Sequence, residues 1–103
     1  MNMTTFDFED GNGPVPAHKH PKGGGWVADT ATVDETAYVG AEARVFDYAK
    51  VFDYAKVYDN AWVFGNAQVC GNAQVYGDAR VFGDARVYGD ARVYGDAGVF
   101  GDA

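Results

Sequence analysis

The sequence predicts an all-β fold: a single-stranded parallel β-helix, a triangular solenoid of about 18 residues per rung, preceded by a short N-terminal cap. Three observations predict it. Every sixth residue from Val27 to Val99 is valine, thirteen in an unbroken series, and an alanine stands four residues after each one, from Ala31 to Ala103. A six-residue period held over 77 residues without an insertion matches no helix of 3.6 residues per turn and no ordinary sheet, but it suits rungs that stack identical positions. The chain also contains no leucine and no isoleucine. Its interior must therefore be filled by small, uniform side chains, which a narrow tube accepts and a layered bundle does not.

The chain divides near Trp26. Residues 1–26 hold all three prolines, both histidines and the run Gly23-Gly24-Gly25, a composition that reads as a short strand, a turn and a loop. Phe6 and Phe8 alternate with Asp7 and Glu9, as on a strand with one buried face. This segment is expected to cap the first rung. Residues 27–103 are repeat alone. Early hexapeptides are irregular, two middle ones are identical (FDYAKV), and the last run is nearly perfect, a self-similarity that points to internal duplication.

Within each repeat, counted from its valine, position one is Val and position five is Ala. Period-two alternation turns these two inward. Position two, aromatic in nine of the ten repeats from Phe46 to Phe100, and position six, which carries Arg44, Lys50, Lys56, Gln68, Gln74, Arg80, Arg86 and Arg92, turn to solvent. Gly-Asn and Gly-Asp pairs at positions three and four, such as Gly65-Asn66 and Gly77-Asp78, tolerate positive φ and supply a corner in every repeat. With three corners per rung, residues 18 apart stack. The expected outer columns are Phe46, Phe64, Phe82 and Phe100; Tyr58, Tyr76 and Tyr94; and Phe52, Cys70 and Tyr88. Arginines 80, 86 and 92 flank them, each able to lie against an aromatic face.

A net charge of −7 argues against nucleic acid or an anionic membrane as partner, since both reward a basic surface. The single cysteine, Cys70, excludes an intramolecular disulfide framework, and the first residues show neither the basic nor the apolar region of a signal peptide. A cytoplasmic or virion-associated setting is expected.

Across residues 27–103 the Ala-x-Val spacing followed by a Gly/Asp/Asn turn resembles the hexapeptide-repeat family of left-handed parallel β-helix proteins. Left-handedness is what the resemblance implies; parallel crossovers are otherwise overwhelmingly right-handed. An aromatic follows the valine here and glycine comes one residue later, and this variant, A-x-V-[FY]-G-[DN], looks more like the arrays of uncharacterised bacterial and phage proteins. The family's best-known members are acyltransferases that act as trimers on acyl-coenzyme A, with a catalytic histidine and often a protruding loop. Residues 27–103 contain neither a histidine nor an inserted loop.

The leading functional expectation is a non-enzymatic structural module, a homo-oligomer or filament. It would self-associate through its last residues, Val99, Phe100, Gly101, Asp102 and Ala103, or through its aromatic columns. No cofactor is implied, and a small-molecule ligand is left open. An acyltransferase-like activity is the alternative, with His18 or His20 as the general base. A recognition surface for protein or carbohydrate, built of stacked tyrosine and arginine, is the second alternative. His18 and His20 are also weighed as metal ligands, because two imidazoles two apart on an extended chain face the same side; a third ligand would come from Asp7, Glu9, Asp10 or another subunit. The Asp columns could bridge calcium, although the nonapeptide spacing of calcium-binding β-rolls is absent.

Overall fold

A two-residue strand is all that a six-residue repeat leaves once its corner is made, and the chain is built of such strands. The computed structural model describes residues 5–8, 11 and 13–101. The array runs β3 (Trp26–Ala28), β4 (Thr32–Val33), β5 (Tyr38–Val39), β6 (Arg44–Val45), β7 (Lys50–Val51), β8 (Lys56–Val57), β9 (Trp62–Val63), β10 (Gln68–Val69), β11 (Gln74–Val75), β12 (Arg80–Val81), β13 (Arg86–Val87), β14 (Arg92–Val93) and β15 (Gly98–Val99). Two strands precede it, β1 (Thr5–Asp7) and β2 (Pro14–Lys19). Among the described residues there is no helix.

Each strand pairs in parallel with the one three repeats on. Val27 lies beside Val45, Val45 beside Val63, and Val63 beside Val81. Three sheets result: one of seven strands ordered β1-β2-β3-β6-β9-β12-β15, and two of four, β13-β10-β7-β4 and β14-β11-β8-β5. This is a β-solenoid of about four turns with about 18 residues per turn.

Position five and position one point inward on either side of the outward position six. The valines from Val39 to Val81 and the alanines from Ala49 to Ala85 are wholly buried, each 0% exposed. No larger side chain enters that column, so the omission of leucine and isoleucine is a matter of bore. Toward the end the interior opens: Ala91 and Ala97 are exposed and Val99 is half-buried.

Among the described residues of the array positive φ occurs at position three alone, from 57° at Asp59 to 70° at Gly101. The corner changes chemistry between rungs. Asp47, Asp53 and Asp59 hold this left-handed conformation, and each carboxylate accepts the amide of the glycine one rung on: Gly65 at 3.1 Å, Gly71 at 3.1 Å and Gly77 at 3.2 Å. Aspartate is one of few non-glycine residues that visit this region readily. From Gly65 onward glycine stacks on glycine. A Cβ at Gly71 would lie 2.9 Å from the Gly89 nitrogen, with comparable crowding at Gly65 and Gly77.

The N-terminal segment holds more strand than its prolines suggest. The sequence reading makes Pro14–Lys19 a loop, whereas it forms β2, antiparallel to both β1 and β3. Pro16 is tolerated because only its carbonyl is used, accepting the Asp29 amide at 2.9 Å. β3 ends one residue earlier, where the missing N–H would have been needed. Residues 20–25 then turn across the edge of β5: Gly25 donates to the Val39 carbonyl at 2.9 Å, and Val39 donates to Lys22 at 3.1 Å. The glycines permit that approach, since a Cβ at Gly25 would sit 2.3 Å from the Gly40 oxygen.

Candidate functional site

The outer face of the seven-stranded sheet concentrates the chain's aromatic and cationic side chains. Position two builds its first column. Ring centroids are 4.8 Å apart for Phe46 and Phe64, 5.0 Å for Phe64 and Phe82, and 5.3 Å for Phe82 and Phe100, with planes nearly parallel. Parallel in-register strands repeat at about 4.8 Å, so identical rings at 18-residue spacing must stack. Phe8 extends the column at the other end, 4.8 Å from Phe46. Phe46, expected to face solvent, is in fact 1% exposed. It is covered by the N-terminal segment, whose Phe8, just after β1, and Ala17, on β2, join Ala28 and Phe46 in a second apolar cluster outside the tube.

Position six on the same sheet builds a second column that the sequence reading missed. Pairing places Lys19 beside Trp26, Trp26 beside Arg44, Arg44 beside Trp62, Trp62 beside Arg80, and Arg80 beside Gly98. Cation and ring alternate. The Lys19 ammonium lies 5.5 Å from the Trp26 ring, the Arg44 guanidinium 5.1 Å from Trp62, and the Arg80 guanidinium 4.7 Å from the other side of Trp62. Phe6 stacks on Trp26 at 4.7 Å and also receives Arg44 at 5.1 Å. The signal was available: the 18-residue spacing applied to position two finds this column when applied to position six. Arg80 therefore stacks within its own column rather than on the phenylalanines beside it.

The tyrosine column closes on another face, with centroids 5.0 Å apart for Tyr58 and Tyr76 and 5.5 Å for Tyr76 and Tyr94. The Tyr58 hydroxyl donates to Gln74 Oε1 at 3.1 Å. Burial, then the neighbouring Tyr76 and Asp59, raise its pKa above the ordinary phenol value, Arg92 opposing. On the third face Cys70 separates Phe52 from the exposed Tyr88. Burial first and the Asp53 carboxylate second raise the Cys70 thiol pKa, which makes it a poorer nucleophile than a free cysteine.

The two histidines do not share a side. His18 lies on β2, half-exposed, with Nδ1 2.7 Å from Asp29 Oδ1. His20 is buried at 3% exposure, where Nε2 donates to the Ala37 carbonyl at 2.7 Å. The extended geometry that would align them ends at Lys19, after which the chain turns and carries His20 under the first rung. Among the described residues no three His, Cys, Asp or Glu side chains converge as metal ligands do. Glu9 and Asp10, named as possible third ligands, lie outside the described residues.

At the last rung β13, β14 and β15 each form the edge of their sheet. Val99 is half-buried, Phe100 is 62% exposed and Gly101 is exposed. Asp102 and Ala103, expected to complete this surface, lie outside the described residues.

Residues 55–71, 73–89 and 85–101 match the family described as YdcK Beta solenoid repeat. The first two windows start 18 residues apart, one rung of the pairing register. The chain is a β-solenoid repeat protein. No curated protein and no solved structure matches it. Among the described residues no helix is long and apolar enough to cross a membrane.

Proposed function

We propose that this β-solenoid repeat protein is a non-enzymatic structural module, one variant of the hexapeptide array, that self-associates through the rung ending at β15. The observation that carries the reading is the open edge of all three sheets at one level, with apolar Ala91, Ala97 and Phe100 exposed around it. Unpaired strand edges recruit further strands. The two ends of the array are not complementary. The hairpin of β1 and β2 extends only the seven-stranded sheet, so the first rung presents a step rather than a flat triangle. That step opposes head-to-tail stacking and favours contact between two last rungs, which closes at a dimer.

Light scattering across a concentration series tests this. Mass should rise from monomer to dimer, and Val99→Lys, a charge on an edge strand, should hold the monomer while leaving the melting temperature within a few degrees. A wild-type chain that stays monomeric at every concentration overturns the reading.

A second reading is favoured by one observation, the His18–Asp29 pair. A carboxylate that orients an imidazole is the arrangement acyl transfer asks of a general base. Under it the chain would form a trimer and bind acyl-coenzyme A. Equilibrium dialysis with acetyl-coenzyme A, and loss of binding in His18→Ala, would support it; no binding removes it.

A further inference from the structure

The mixed column on the seven-stranded sheet alternates without error for five places: Lys19, Trp26, Arg44, Trp62, Arg80. By that alternation the sixth place belongs to an aromatic ring, and it is Gly98. The Arg44 guanidinium has a ring on each side, Phe6 and Trp62, both at 5.1 Å. Arg80 has Trp62 on one side at 4.7 Å and, on the other, a residue without a side chain.

The space beside it is formed by the fold. A Cβ built at Gly98 meets nothing within 4 Å, and φ there lies outside the left-handed region, so the backbone imposes no need for glycine. A groove of 480 Å³ opens at that point, lined by Asp78, Arg80, Phe82, Asp96, Ala97 and Gly98. Its walls differ in chemistry. Phe82, stacked on the exposed Phe100, gives one apolar wall, two carboxylates give an acceptor wall, and a guanidinium with one uncovered face supplies the floor.

We propose that this groove is a binding site for a planar aromatic ring carrying an O–H or N–H donor. The ring lies over Gly98 and covers the open face of Arg80, as Trp62 covers Arg44. Its edge packs toward Phe82 and Phe100, and its donor points to Asp78 or Asp96. A saturated ring of the same size would fill the groove but leave the guanidinium without a π face, so the site discriminates by aromaticity. Stacking on the guanidinium, apolar contact with Phe82 and Phe100 and one hydrogen bond to a carboxylate together set the affinity of so small a ligand in the millimolar range.

The test is a titration of the whole chain with phenol and, separately, with cyclohexanol, followed by ¹H–¹⁵N NMR at the Gly98 amide and the Arg80 Nε–Hε. Phenol should give saturable shifts at both, and cyclohexanol should not. Arg80→Gln should weaken phenol by about threefold. Gly98→Trp supplies the missing ring from the chain itself; it should raise the melting temperature by a few degrees and abolish the phenol shifts. Gly98→Leu should abolish the shifts without the stabilisation. The proposal is overturned by absent or non-saturating phenol shifts, by equal shifts with cyclohexanol, or by phenol binding that survives Gly98→Trp. Should neither Gly98 variant fold, an Arg80→Gln chain that binds phenol as tightly as wild type overturns it.

Discussion

Replacing Gly71 by alanine should destabilise the solenoid more than replacing it by the larger, charged aspartate. Gly71 sits at a corner with φ +68°, and a Cβ there would lie 2.9 Å from the Gly89 nitrogen and 3.2 Å from its oxygen. Alanine in the left-handed region costs roughly 1–2 kcal/mol. The close approach adds a fraction more, so a loss of about 2 kcal/mol follows, or roughly 8–16 °C in melting temperature for a domain of this size. Aspartate meets the same backbone but brings an acceptor. One rung earlier Asp53 holds φ 60° and takes the Gly71 amide at 3.1 Å; an aspartate at 71 would take the Gly89 amide in the same way. An exposed amide–carboxylate bond restores about 1 kcal/mol, so the aspartate variant should lose about half as much. Gly89→Ala is the control for crowding: φ is +65° and nothing lies within 4 Å of its Cβ, so it should show the backbone cost alone. Melting followed by circular dichroism at pH 7 and pH 3 decides the matter, because protonation of the new carboxylate should erase its advantage. A Gly71→Asp chain that melts at or below Gly71→Ala at pH 7 refutes the account of the corner.

Three further outcomes are expected. Val75→Asp places a charge where exposure is 0% and only valine and alanine surround it; it should cost about 3–5 kcal/mol or abolish the cooperative melt, and an unchanged melting curve would sink the interior assignment. His20→Ala leaves the buried Ala37 carbonyl without its donor and should cost about 1–3 kcal/mol by denaturant titration, whereas His18→Ala, half-exposed, should stay within about 0.5 kcal/mol. Cys70, its thiol pKa raised by burial and then by Asp53, holds less thiolate at pH 8 than the unfolded chain does. Its alkylation by iodoacetamide should therefore be slower in the folded protein at pH 8, with the gap to the unfolded chain narrowing as the pH rises; equal rates in folded and unfolded chains would remove the shift.

The six-residue register could be read from the sequence because it is a local rule repeated: valine and alanine alternate inward, a corner follows, and every rung obeys. Position-two columns followed from the same spacing. The mixed column of Trp26, Arg44, Trp62 and Arg80 obeys that spacing too, yet it is harder to see because tryptophan and arginine alternate along it and no single residue type runs through; the pairing of β3, β6, β9 and β12 makes them neighbours. Phe46 illustrates the opposite failure, a position that the repeat turns outward and that a non-repeating segment then buries through Phe8.

What the sequence determined by itself is the solenoid, since a period of six with small apolar residues at two places stacks like on like, and the strand pairing then shows the rung to be three repeats long. The tertiary structure alone decided where the irregular N-terminal residues lie. It turned Pro14–Lys19 into a strand against β3, separated His18 from His20, and carried the glycine run across β5. The physical reason is that a repeat specifies its contacts with its own neighbours eighteen residues away, whereas a unique segment is placed by whichever open edge and apolar face the finished array offers it.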